Sequence, residues 1–127
     1  MRADSSTSGA DNAFAADDYL RLMMGDEALG AMLLRMFVES MPGDIERVKD
    51  AVASGEGSQI RSAAHYIKGA AANLCASGIN AAAYEIEQAG KGDDAARAVE
   101  LLRRLESSWL DFAKHPKVRY YLEQPSE

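Results

Sequence analysis

The chain has 127 residues, a length that fits one domain, and 47% of them are aliphatic or aromatic, enough for a hydrophobic core. Its 20 acidic residues against 14 basic ones leave a net charge of −6. That balance excludes the cationic face a nucleic-acid binder needs and the electrostatics of docking on an anionic membrane. The single cysteine, Cys75, excludes an intrachain disulfide and a cysteine-based zinc site, and it points to a reduced, cytoplasmic setting. No apolar run reaches the roughly 18 residues of a membrane span, and the first residues lack the apolar stretch of a signal peptide.

Residues 1–12, rich in Ser, Asp, Gly and Ala, are expected to form a disordered leader. Residues 13–114 carry the spacing of a helical domain, with apolar positions at alternating steps of three and four. Gly25 and Asp26 separate a short first helix from a second, whose seam is Leu29, Leu33, Met36 and Ser40. Pro42 and Gly43 predict a break or kink, because proline removes an amide donor and clashes with the preceding turn. Met41, Ile45, Val48 and Val52 form the next seam. A turn at Gly55-Glu56-Gly57-Ser58 leads to a third helix with Ile60, Ala64, Ile67, Ala71 and Leu74 inward. Ser77-Gly78 and Gly90-Lys91-Gly92-Asp93 mark two further turns, and the last helix buries Ala98, Leu102, Leu105, Trp109 and Phe112. Asp26, Ser58 and Asp93 are expected helix N-caps, and residues 115–127 a tail. No segment alternates with period two. The fold class is therefore all-α: an antiparallel four-helix bundle with a short additional N-terminal helix.

The third helix carries the candidate chemistry. At about 100° per residue, its apolar seam lies within roughly 40° of the core direction, whereas His65 lies about 140° away and points outward. Arg61, Lys68, Gly69, Ala72 and Ala76 fall on the same side. Lys68 is one turn from His65, close enough for the two side chains to meet. A neutral imidazole is a nucleophile near pH 7, and an adjacent ammonium offsets the charge of a phosphoryl group placed on it. Gly69 costs about 1 kcal/mol in a helix relative to alanine, and close approach by another molecule is one reason to keep it.

A turn centred near Ala76 sets position 87 level with position 65 on the antiparallel fourth helix. Glu87 is there, positioned to accept the Nδ1 proton of His65 and leave Nε2 to react. His115, the other histidine, precedes Pro116 near a helix end, where it is expected to favour the helix dipole rather than take part in chemistry. No P-loop, Gly-rich nucleotide loop or metal-binding carboxylate cluster is evident, so no intrinsic cofactor and no ATP-dependent kinase activity are expected.

The stretch from Ala64 to Leu74, with His65, Ile67, Lys68-Gly69 and then small residues, resembles the signature of histidine-containing phosphotransfer (HPt) domains of two-component phosphorelays. The resemblance runs from about Phe14 to Phe112. It implies that His65 accepts a phosphoryl group from a receiver-domain aspartyl-phosphate and passes it on, that Lys68 stabilises the phosphoryl oxygens and that Gly69 admits the partner. It also implies that Glu87 orients the imidazole. The partners so implied are a response-regulator receiver domain, which would bring the Mg²⁺, and a hybrid sensor histidine kinase. Arg61, Gly69, Ala72 and Ala76 are the candidate partner-binding positions. The chain departs from the family where Cys75 replaces a frequent glycine, and where Ala70 and Ala71 replace frequent hydroxyl residues. The competing readings are a non-catalytic bundle that binds a receiver or kinase without carrying phosphate, and a fragment of a larger sensor kinase.

Overall fold

The computed structural model describes residues 13–125; the leader read at residues 1–12 lies outside the described residues. Six helices follow one another: α1 (Ala16–Leu22), α2 (Glu27–Ser54), α3 (Gly57–Asn73), α4 (Ser77–Lys91), α5 (Ala95–Lys114) and α6 (Pro116–Leu122). No strand occurs among the described residues. The long helices pack in a ring, α2 on α3, α3 on α4, α4 on α5 and α5 back on α2. The expected all-α bundle is therefore present, with one further short helix at its C-terminal end.

Pro42 does not break the second helix, which runs unbroken for 28 residues. Pro42 and Gly43 both lie on its exposed face, so the proline ring takes no place in the core packing that holds the helix on either side. Continuity then overturns the first half of the seam. Counting back from Met41 in steps of four, three and four gives Phe37, Leu34 and Gly30, and these residues are buried. Leu29 and Met36, expected inside, are 37% and 59% exposed, because their stripe is offset by one residue from the register set by Met41, Ile45, Val48 and Val52.

The caps divide similarly. Asp26 caps α2 by accepting the Leu29 amide at 3.0 Å. Ser58 lies inside α3, whose N-cap is Glu56 and makes no side-chain cap bond. The cap of α5 is Asp94, not Asp93, and accepts the Arg97 amide at 3.0 Å. Asp93 instead adopts a left-handed backbone (φ 53°) beyond the end of α4. There its amide donates to Gly90 O, and the Asp94 amide to Ala89 O.

Residues 116–122, read as tail, form α6. Val118 is fully buried, and the Tyr121 ring meets Tyr19 edge-on at 5.5 Å. Tyr19 in turn donates its hydroxyl to Gly30 O at 2.7 Å. His115 joins α5 to α6. Its Nδ1 accepts the Lys117 amide at 3.1 Å, so its ring caps the start of α6. Tyr121→Ala should destabilise the fold by about 3 kcal/mol, the scale of emptying a buried aromatic site. Urea unfolding measures it, and an unchanged midpoint would show that α6 adds nothing to the core.

Candidate functional site

The face that carries His65 is built by α3 and α4. Ile60, Ala64, Ile67 and Ala71 are fully buried and hold α3 against its neighbours. His65 sits one residue round from Ala64, with its side chain 66% exposed. Its Nδ1 lies 2.8 Å from Glu87 Oε2 on α4. Glu87 is buried, and its other oxygen, Oε1, lies 2.8 Å from Lys68 Nζ. That second contact is an ion pair off the direction of an aligned hydrogen bond. One carboxylate thus receives both the imidazole and the ammonium.

Electrostatics follow from this sharing. Burial by itself raises the Glu87 pKa, since a desolvated carboxylate prefers its neutral form. The Lys68 ammonium beside Oε1 and the hydrogen bond and charge of His65 at Oε2 outweigh that cost and hold the carboxyl below its usual range. Glu87 is accordingly a carboxylate at neutral pH, and it accepts a proton-bearing Nδ1. The lone pair of the neutral ring is then on Nε2, the nitrogen away from Glu87.

The remaining expected positions divide. Arg61, Gly69 and Ala72 are exposed on the His65 side of α3. A side chain at Gly69 would meet nothing within 4 Å, so packing within the chain gives no reason for the glycine. Ala76 is a correction. It is fully buried at the N-cap of α4, because α3 ends at Asn73 and the helical count no longer applies beyond it. Cys75 takes a left-handed backbone (φ 56°), and the Ala76 amide returns to Ala71 O at 2.9 Å. Glycine adopts that conformation without steric cost, which accounts for glycine being frequent there in the family that the sequence resembles.

Residues missed from the sequence also border the site. Asn80 donates Nδ2 to the backbone carbonyl of Lys68 at 2.9 Å. The Lys68 ammonium lies 5.7 Å from the centre of the half-exposed Tyr84 ring, and Arg47 from α2 lies 5.8 Å from that of Tyr66. Asn80, Tyr84 and Glu87 recur at i, i+4 and i+7, so they share one flank of α4; that spacing was the available signal. Among the described residues, no group of three or more His, Cys, Asp or Glu is placed to hold a metal ion, and no helix is long and apolar enough to cross a membrane.

The family model of the Hpt domain matches residues 32–111, more than half of the chain. The chain belongs to the Hpt domain family. No curated protein and no solved structure matches it. The match spans most of α2, all of α3 and α4, and nearly all of α5, so it contains His65, Lys68 and Glu87 together. Membership in the Hpt family assigns the chain a phosphotransfer role in two-component signalling. Such domains work with receiver domains and kinases in phosphorelays.

Proposed function

We propose that His65 is the phosphoryl carrier. Its Nε2 accepts a phosphoryl group from the aspartyl-phosphate of one response-regulator receiver domain, or from a hybrid sensor kinase, and passes it to another receiver. The observation that supports this reading most is the shared carboxylate: Glu87 holds His65 Nδ1 at 2.8 Å and Lys68 Nζ at 2.8 Å on one exposed face. In the forward step, the Nε2 lone pair forms the N–P bond as the P–O bond to the aspartyl oxygen breaks. The aspartate leaves with that electron pair. Both ring nitrogens are then substituted, so the imidazole gains positive charge, which the Glu87 carboxylate stabilises. Lys68, on a flexible four-carbon stem, is within reach of the incoming phosphoryl oxygens. The chemistry asks for positioning and charge neutralisation more than for covalent help. The Mg²⁺ such transfer uses would come with the receiver.

The test is transfer from receivers of the source organism, phosphorylated with acetyl phosphate, to the purified protein. Acid-labile label on His65 supports the reading; label confined to another residue overturns it. Lys68→Ala should slow transfer about tenfold or more, the scale of removing one donor to a developing charge. His65 still holds Glu87 in this variant, and a urea midpoint read beside the rate separates lost chemistry from lost stability. Equal single-turnover rates for variant and wild type would remove Lys68 from the mechanism.

A further inference from the structure

The bond between His65 and Glu87 joins side chains on two helices, so it depends on how closely α3 and α4 approach. Two contacts flank it. On one side, Asn80 of α4 donates its side-chain amide to the Lys68 carbonyl of α3 at 2.9 Å, on the turn after His65. On the other, Gly57 and Gly90 bring the two backbones together. A Cβ at Gly90 would stand 2.6 Å from the Arg61 amide nitrogen and 2.8 Å from Gly57 O. A Cβ at Gly57 would stand 2.5 Å from Gly90 O. At Gly57 the nearest neighbour is the Asp93 carboxylate, a side chain that can shift, but Gly90 O behind it and every atom facing Gly90 are backbone and cannot swing aside. Gly90 lies inside α4 with negative φ, and Gly57 is the first residue of α3. Neither is needed for the turn that its sequence neighbourhood suggested, so close packing is what requires their missing side chains.

We infer that Gly90, Gly57 and Asn80 are positioning residues for the histidine: together they clamp α3 to α4 at the spacing that lets Glu87 reach Nδ1. This inference rests on the phosphotransfer reading for its effect on rate, but its geometric part stands without it. Arg61, which abuts Gly90, is one turn before His65; Glu87 is one turn before Gly90. A methyl group at Gly90 therefore parts the helices one turn from the bond. The Ala71–Ala76 turn still holds their other end. The hairpin opens like a hinge, and a 2.8 Å hydrogen bond has little length to give.

Nitrogen-15 NMR of the His65 ring reads the tautomer directly. In the wild-type protein the Nδ1–H form should dominate. Gly90→Ala and Asn80→Ala should each shift the ring toward the Nε2–H form that an unheld histidine favours. Each should also slow labelling of His65 by phosphoramidate, a small donor that needs no partner, by about threefold to tenfold, the scale of a sub-ångström misplacement. Gly43→Ala, on an open face of α2, should move neither signal. Asn80→Ala adds no bulk, so it decides the matter if Gly90→Ala fails to fold. Folded variants with the wild-type tautomer and labelling rate would overturn the inference. If the wild-type protein never labels, yet the variants show the tautomer shifts, the phosphotransfer reading is overturned and the clamp stands.

Discussion

His65→Gln should abolish acid-labile phosphate on the protein while leaving its helical content and unfolding midpoint within experimental error. The side chain is exposed and contributes no core surface, and surface changes of this kind are usually within about 0.5 kcal/mol of neutral. Glutamine keeps a hydrogen-bonding group near Glu87 but has no nucleophilic nitrogen. The loss should therefore be complete rather than partial, because no neighbour can take over an in-line attack. His115 provides an internal control: it is buried at the α5–α6 junction, where its ring caps a helix and stacks edge-on against Phe14 at 5.6 Å. Acid-stable controls and peptide mapping of the labelled protein read the result. Label retained by His65→Gln would place the chemistry elsewhere. Wild-type protein that binds receivers but never takes label from any of them would favour a non-catalytic interaction module on the same bundle.

Glu87→Ala should lower the labelling rate about tenfold to a hundredfold, the usual cost of removing the carboxylate that orients a functional histidine. Three effects act together. The ring loses its tautomeric preference, the positive charge that grows on it loses its counter-charge, and Lys68 loses the anchor that keeps it beside His65. Glu87→Gln should be milder, since an amide oxygen still accepts Nδ1–H but carries no charge. The same carboxylate ties stability to pH. Its pKa is depressed in the folded protein, so its contribution to folding is complete above the ordinary carboxylate range. It is lost as pH falls through the lowered folded value. Urea midpoints of wild type and Glu87→Gln should therefore differ more at pH 7 than at pH 3. A difference independent of pH would mean that the carboxylate charge is not what the ion pair with Lys68 contributes. Labelling rates equal to wild type in Glu87→Ala would remove the residue from the mechanism.

Much of the site was legible because it obeys local arithmetic. His65, Lys68 and Gly69 share one helix, and 100° per residue suffices to put them on a common face. Glu87 was reachable too, since a short turn between antiparallel helices makes positions equidistant from it level. Ala76 failed for the reason the others succeeded: it lies past the end of α3, where the chain turns through the left-handed Cys75 and helical counting stops. Gly57 and Gly90 were read as turn residues. In a sequence, a glycine that bends the chain and a glycine that admits a neighbouring backbone look alike, and only the packed neighbour tells them apart.

By itself, the sequence determined that this is an all-helical, acidic domain and which helix face presents His65 with Lys68 and Gly69. Those properties follow from periodicity and composition, which act within one element at a time. Tertiary structure decided that α2 runs through Pro42 and buries Phe37 instead of Met36, and that His115 and α6 close the end of the core. It also decided that Glu87 is shared between His65 and Lys68. These depend on distances between elements, where a shift of one residue or one ångström changes which atoms meet. The local pattern around His65 is compatible with a nucleophile; the carboxylate that meets its Nδ1 and leaves Nε2 open stands on another helix, where two glycines and an asparagine line the contact between the helices.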